Sequence, residues 1–280
     1  MIKLTDCRSV EEAFNQAGLW WYAQELGLIT SDLHNITSHK AIVRSDDHKK
    51  VLGIVGKGYQ IIQNHEAFSI MDVLSQRHRA VFKYCGIIDE GRKVVLQAKV
   101  GNAFDVRPGD SHEKFITAVN SFDGSSSVRI YFSAVRLFCM NQLNLSWRKR
   151  ELSVSVKHTG NAESHIKEAF QIFNISNDYF SNYKEKASYL CRKIVNKNMV
   201  ERFLDQVIGE AEFTRKKNQR ERVEQLFVYG KGNGRGTAYD LVNGLTEWVD
   251  HERSKDNLDS RLLGSGAALK SMAFDTALAL

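Results

Sequence analysis

The chain has a single proline, Pro108, in 280 residues, so no proline-rich linker separates domains. Its four cysteines, Cys7, Cys85, Cys139 and Cys191, are widely spread and form no CxxC pair. That removes the usual zinc and dithiol patterns and reads as buried or free thiols of a reducing compartment. No run of about 18 apolar residues occurs, so a conventional membrane-spanning helix is not expected. The first residues, Met1-Ile2-Lys3-Leu4-Thr5-Asp6, lack the apolar core of a secretory signal. The expectation is a cytoplasmic protein with no membrane partner. Catalytic patterns are missing as well: none of the nine histidines belongs to a HExxH, and there is no GxSxG elbow or GxxxxGKS/T loop. No metal, no cofactor and no conventional active site are expected, and the enzyme question leans towards no.

What is present is a foldable, mildly basic chain. Hydrophobic residues make up 42% and charged residues 26%, with 39 Lys/Arg against 33 Asp/Glu for a net charge of +6. The excess is local. Lys184 to Arg235 holds thirteen Lys/Arg and seven Asp/Glu, a difference of six that equals that of the whole chain. Two readings stand side by side: a solvated helical face, or a surface for a phosphate backbone.

Pattern along the chain gives three segments. Residues 1–50 read as an N-terminal helix and a loop around Arg44-Ser45-Asp46-Asp47-His48. Residues 51–160 read as a β-rich core. Val51–Val55 and Tyr59–Gln63 are extended, and Asn64 caps a helix with Phe68, Met71 and Leu74 at helical spacing. Ala80–Ile88 and Lys93–Val100 flank the Asp89-Glu90-Gly91 turn, and Lys114–Asn120 and Ser127–Ser133 flank Asp123-Gly124, so two hairpins are predicted. From Ala134 the period shifts towards a helix through Leu137, Phe138, Asn141 and Leu145, followed by a short strand at Leu152–Val156. Residues 161–280 read as helical: Ala162–Phe227, a glycine-rich loop at Gly230–Gly236, then Ala238–Glu252 and Ala267–Leu278. The fold class is α+β, with a mostly antiparallel β-meander, one inserted helix and a helical C-terminal half.

Two clusters look chemical. Asp250-His251-Glu252 lies inside a helical run, where neighbours point about 100° apart and cannot converge on one atom; capping and packing is the favoured role. The Gly230–Gly236 loop is either a plain connector or a close approach to phosphate, with Lys231 and Arg235 inside it.

Several segments carry a resemblance. They are Leu52-Gly53-Ile54-Val55-Gly56-Lys57-Gly58-Tyr59 with Gln63-Asn64-His65-Glu66-Ala67-Phe68, Asn120-Ser121-Phe122-Asp123-Gly124 through Arg129, and Val135-Arg136-Leu137-Phe138-Cys139-Met140-Asn141-Gln142-Leu143. Lys157-His158-Thr159-Gly160-Asn161, Asn243-Gly244-Leu245-Thr246-Glu247-Trp248-Val249-Asp250-His251-Glu252-Arg253 and Gly264-Ser265-Gly266-Ala267-Ala268-Leu269-Lys270 follow in the same order. On these the chain resembles the phage/plasmid-like protein family of mobile genetic elements, whose activity is not settled. One departure is Leu262-Leu263 where an aromatic pair usually precedes the Gly-Ser-Gly turn. A looser similarity, at fold level, is to single-strand annealing proteins of the Red-beta, RecT and Erf type, which set helix, antiparallel sheet and helix in the order read here from Asn64 to Leu145.

Basic and aromatic residues supply the candidate site. Arg129, Tyr131 and Ser133 would share an exposed strand face with Lys99 and Gln97, followed by Arg136 and then Arg148, Lys149 and Arg150. Guanidinium groups can hold phosphates while a ring stacks on a base, worth roughly 1–3 kcal/mol per base. Arg215, Lys216 and Lys217 with Arg220 and Arg222 form a second stripe, and Lys231 and Arg235 a third group. The leading function is single-stranded DNA binding and annealing in recombination, with RNA also open, by a homo-oligomer that needs no cofactor. The alternative is a mobile-element effector that binds a host protein, such as a modulator of defence.

Overall fold

The N-terminal region expected as helix and loop is mostly strand in the computed structural model, which describes residues 1–47, 50–125, 128–137, 141–143, 154–155, 162–210 and 213–280. The fold is α+β, with antiparallel strand pairs first and helices mostly in the C-terminal half. The chain divides into two units, each drawn from three stretches. The first holds Met1–Gly101, Ile116–Tyr131 and Ser153–Asn174; the second holds Asn102–Phe115, Phe132–Leu152 and Ile175–Leu280.

In the first unit β1 (Ile2–Cys7) pairs antiparallel with β5 (Val81–Ile88), and β5 with β6 (Lys93–Lys99). Next come β8 (Ser111–Ser121) and β9 (Arg129–Arg136), with β11 (Val154–Ser155) against β9, each through its residues in this unit. Both predicted hairpins are there. A separate three-stranded sheet, β2 (Ala23–Ile29), β3 (Asn35–Arg44) and β4 (Val51–Gly56), occupies the rest. Register shifts at Gly27/Leu28 and Ile42/Val43 interrupt its alternation, which is why these strands have no clean period in sequence. Helix α1 (Val10–Ala17) starts at a capping box of Ser9 and Glu12.

The inner face of α2 (Asn64–His78) buries Ala67, Phe68, Ile70, Met71 and Leu74, and Phe68 meets Phe14 of α1 edge-on at 5.9 Å. Gln63, rather than Asn64, is its cap residue. Its side-chain amide donates to the Ala23 carbonyl and accepts from the Ala23 N–H at 2.9 and 3.0 Å, pairing with β2 as a strand would. Asn64 is buried instead and accepts from Asn120 Nδ2 at 3.1 Å.

Two of the resemblance segments meet here. A Cβ on Gly53 would stand 2.6 Å from the Asp123 Cα, so only glycine lets β4 come this close. Tyr59 donates its hydroxyl to the Ser121 carbonyl at 3.0 Å. Cys7 and Cys85 are buried free thiols, and desolvation pushes them up to about 11 and about 12.

The second unit holds β7 (Phe104–Asp105), paired with β8 at Ser111 and His112, and β10 (Gln142–Leu143), paired with β9 at Ala134 and Val135. The expected helix from Ala134 is therefore corrected: the strand continues to Arg136 and the chain returns as β10, while Phe138 and Leu145 lie outside the described residues. The cause is burial of both faces from Ile130 to Val135, which erases the period of two. The charged helical stretch resolves into α3 (Ala162–Arg192, which begins in the first unit), α4 (Lys197–Val207) and α5 (Thr214–Tyr229). Helix α6 (Ala238–Trp248), a π-turn at Val249–Arg253, α7 (Leu258–Leu262) and α8 (Ser265–Ala279) complete it. Helices α5 and α6 cross closely at Gly244, where a Cβ would lie 2.8 Å from the Phe227 nitrogen. No helix among the described residues is long and apolar enough to cross a membrane.

Candidate functional site

The second unit buries two guanidinium groups and two carboxylates together. The Arg107-Pro108-Gly109-Asp110 turn brings Arg107 Nε within 3.0 Å of Asp110 Oδ2. Arg136, at the end of β9, donates to both Asp110 oxygens at 2.6 and 2.5 Å, a fork-to-fork geometry that fixes orientation as well as charge. Asp240 closes the set. In the first turn of α6 it completes a capping box with Thr237, accepts from the Arg235 N–H at 2.9 Å, and takes Arg107 Nη1 at 3.2 Å on its other oxygen.

Burial works against an ionised Asp110, but hydrogen bonds and charge from Arg136, with the His112 and Arg107 charges, outweigh it and hold the carboxyl below its usual range. Both guanidinium groups also lie against the Tyr239 ring, 5.3 Å (Arg107) and 5.7 Å (Arg136) from its centroid. The Tyr239 hydroxyl meets His112 Nε2 at 2.8 Å, and His112 Nδ1 faces the Asp110 carbonyl oxygen at 3.2 Å. Desolvation lowers His112 to about 4 against the pull of Asp110, so the imidazole is neutral at pH 7. A carbonyl can only accept, so the proton sits on Nδ1 and the tyrosine donates to Nε2.

This cluster holds the glycine-rich loop. Arg107 Nη2 donates to the Gly232 carbonyl at 2.6 Å, and Arg136 donates to the Lys231 and Gly232 carbonyls at 2.9 and 3.1 Å. Asn233 Nδ2 ties the loop to Leu226 and Asp240 carbonyls, and the Lys231 N–H donates to Glu247. Gly232, Gly234 and Gly236 have φ of 71°, 97° and 68°, so the path suits glycine. The loop is thus clamped in place, whether it serves as a connector or as an approach to phosphate. Beside it opens a cavity of about 220 Å3 lined by the Arg107–Asp110 turn, Arg136, Gly232, Asn233 and Arg235. The side chains of Lys231 and Arg235 stay exposed. The buried charges cancel, two against two, and the Glu247 carboxylate at the Lys231 N–H offsets part of the charge of the two exposed cations.

A second buried network lies nearby in sequence. Asp250 accepts from Lys270 Nζ at 2.5 Å and from the Gln142 N–H at 2.9 Å, and Lys270 also donates to the Gln142 carbonyl. His251 bonds Asn141 at 3.1 Å, and Glu252 pairs with Arg222 at 2.7 Å. The three members of the acid-histidine-acid triplet thus take three separate partners, as their helical spacing requires. Three resemblance segments, around Asn141, Asp250 and Lys270, are joined by these bonds.

The residues expected at the site fall into several places. Arg136 and Arg235 line the cavity, and Lys231, whose carbonyl Arg136 holds, adjoins it in the loop. Arg136 is 2% exposed, however, and serves the core rather than an open groove. Lys99, Arg129 and Tyr131 belong to the first unit. The expected open strand face is corrected: Tyr131, Ser133 and Gln97 are buried, Tyr131 at 3% exposure, because β9 is covered on both sides. A ring buried there has no face for a base. Arg148, Lys149 and Arg150 lie outside the described residues. Arg215 and Lys217 are exposed and Lys216 half-buried in the first turn of α5. Arg220 is buried against Glu201 and Asp205, and Arg222 is paired with Glu252, so neither extends a free stripe.

Arg107, Asp110, His112, Tyr239 and Asp240 escaped the sequence reading. Thr237-x-x-Asp240, a capping signal after the glycines, and the lone proline turn between Arg107 and Asp110 were the available cues.

A family model described as a domain of unknown function (DUF932) matches residues 51–272, from the start of β4 into α8. No curated protein and no solved structure matches the chain.

Proposed function

The chain belongs to the DUF932 family, whose description assigns no activity, and from that premise we propose that it binds single-stranded nucleic acid through the phosphate backbone, without chemistry on the strand. One observation carries this reading: a glycine-rich loop locked from below by two buried arginines, with Lys231 and Arg235 exposed beside a polar cavity. Glycines let a phosphate approach the backbone, and a clamped loop presents its cations without first being ordered. Arg215 and Lys217 add support. Both sit exposed in the first turn of α5, where the helix dipole disfavours cations; Lys217 is offset by an i,i+4 pair with Glu221 at 4.0 Å, whereas no such pair among the described residues accounts for Arg215. Strand annealing by a homo-oligomer, in the cytoplasm and in the service of a phage- or plasmid-derived element, is the setting this activity fits.

The test is fluorescence anisotropy of the full chain with a labelled single strand of about 40 nucleotides, as DNA and as RNA. Binding that is tight at low salt and collapses as salt rises is expected. Absence of binding at low salt would overturn the reading. It would turn attention to a protein partner, for which the three-stranded sheet offers the exposed apolar side chains of Leu26 and Ile54, paired on either side of the buried Ala41.

A further inference from the structure

The first unit has a concavity of its own. Helix α1, the run into β2 and the start of α2 enclose a cavity of about 150 Å3 lined by Phe14, Trp20, Trp21, Tyr22, Asn64 and His65. Of the three consecutive aromatics, Trp21 is buried at 5% exposure, whereas Trp20 and Tyr22 remain 49% and 53% exposed. These two rings are nevertheless held in place. Trp20 Nε1 donates to Asn15 Oδ1 at 2.8 Å, and its ring meets Phe14 edge-on at 6.3 Å. The Tyr22 ring meets His65 edge-on at 6.3 Å, and its N–H donates to Ser45 Oγ at 2.9 Å.

Two oriented, half-open aromatic faces at a cavity are suited to a flat guest. A cavity of about 150 Å3 takes one six-membered ring, which excludes a fused two-ring system lying wholly inside. The chemistry of the walls narrows the guest further. None of the lining residues is acidic, so a bound cation would lose its hydration without a counter-charge. Asn64 commits its Oδ1 to Asn120 Nδ2, which leaves its NH2 as the end with hydrogens to give. A neutral ring bearing a carbonyl acceptor fits both conditions.

We propose that this pocket binds a pyrimidine nucleobase, stacked on Trp20 or Tyr22 with a ring carbonyl towards Asn64. The assignment extends the nucleic-acid reading from backbone to base. Its probe carries no phosphate, so it can fail while backbone binding stands, and the converse.

The test is saturation-transfer NMR on the full chain with uridine, adenosine, phenol and choline as separate probes. Uridine should receive transfer at its ring protons at millimolar concentration and bind better than the other three. Trp20→Ala and Tyr22→Ala should each weaken it by about fivefold or more, Trp20→Phe should restore most of the Trp20 loss, and Lys231→Ala with Arg235→Ala should leave it unchanged. Trp20 and Tyr22 are half exposed, so thermal denaturation should confirm that the variants fold. No transfer to uridine, equal uridine binding by folded Trp20→Ala and Tyr22→Ala, or preference for choline, phenol or adenosine would overturn the assignment.

Discussion

Two turns that stand out in the sequence are held by opposite means. In the first unit, Asp123 secures its own turn. Its Oδ1 accepts from Ser121 Oγ and from the Ser125 N–H, each two residues away, at 2.5 and 2.8 Å, and Gly124 takes the left-handed position. In the second unit the Gly230–Gly236 loop is secured by Arg107 and Arg136, which lie 125 and 95 residues from the carbonyls they hold. The first arrangement is a local motif that any chain can form. The second exists only once the unit is folded, and it costs two buried cations that must be matched by Asp110 and Asp240. Such an investment in one loop is hard to explain by chain connection alone.

The contrast can be broken by mutation, and the largest effect is expected at Arg136. Arg136→Ala strips Asp110 of its main partner and frees the Lys231 carbonyl, leaving Gly232 to Arg107 alone, so a loss of about 3–5 kcal/mol in urea denaturation is expected. A loss under about 1 kcal/mol would mean the cluster is not the anchor. Acid comes next. His112 titrates at about 4 when folded but near 6.5 when unfolded, so the unfolded chain takes up the proton first and stability falls as pH drops from 6.5 to about 4. That interval is worth on the order of 3 kcal/mol. Asp110, depressed in the folded state, adds a further loss as pH falls below the unfolded carboxylate range and through its own lower value. In His112→Gln the loss between pH 6.5 and 4 should flatten; an unchanged slope would assign it elsewhere.

At the locally held turn, Asp123→Ala removes the two local hydrogen bonds and should cost about 1–2 kcal/mol. If it matched Arg136→Ala, the distinction between the two turns would collapse. The smallest change in stability is expected for Lys231→Ala with Arg235→Ala. Both side chains are exposed, so the double variant should unfold within about 0.5 kcal/mol of the parent per site.

The same contrast explains what could be read from sequence. The β5–β6 hairpin and the Asp123-Gly124 turn were legible because each is specified by neighbours: an alternating run, a turn, another run. Strands β2 and β3 were not, since bulges at Gly27/Leu28 and Ile42/Val43 scramble their alternation. Strand β9 was read as ending early and with an open face because burial on both sides makes its apolar run resemble helix. At the site, Lys231 and Arg235 were visible as cations among glycines. The reason for that loop's shape was not, because Arg107 and Asp110 look like any turn until Arg136 and Asp240 are brought to them.

The most direct measurement is the slope of log affinity against log salt for a single strand, compared between the parent and the Lys231→Ala, Arg235→Ala double variant. If the clamped loop presents both cations to phosphates, the slope should become shallower by about 0.7 for each, roughly 1.4 in all, with stability unchanged. Equal slopes for the two proteins would contradict it and leave the loop without a role in backbone binding.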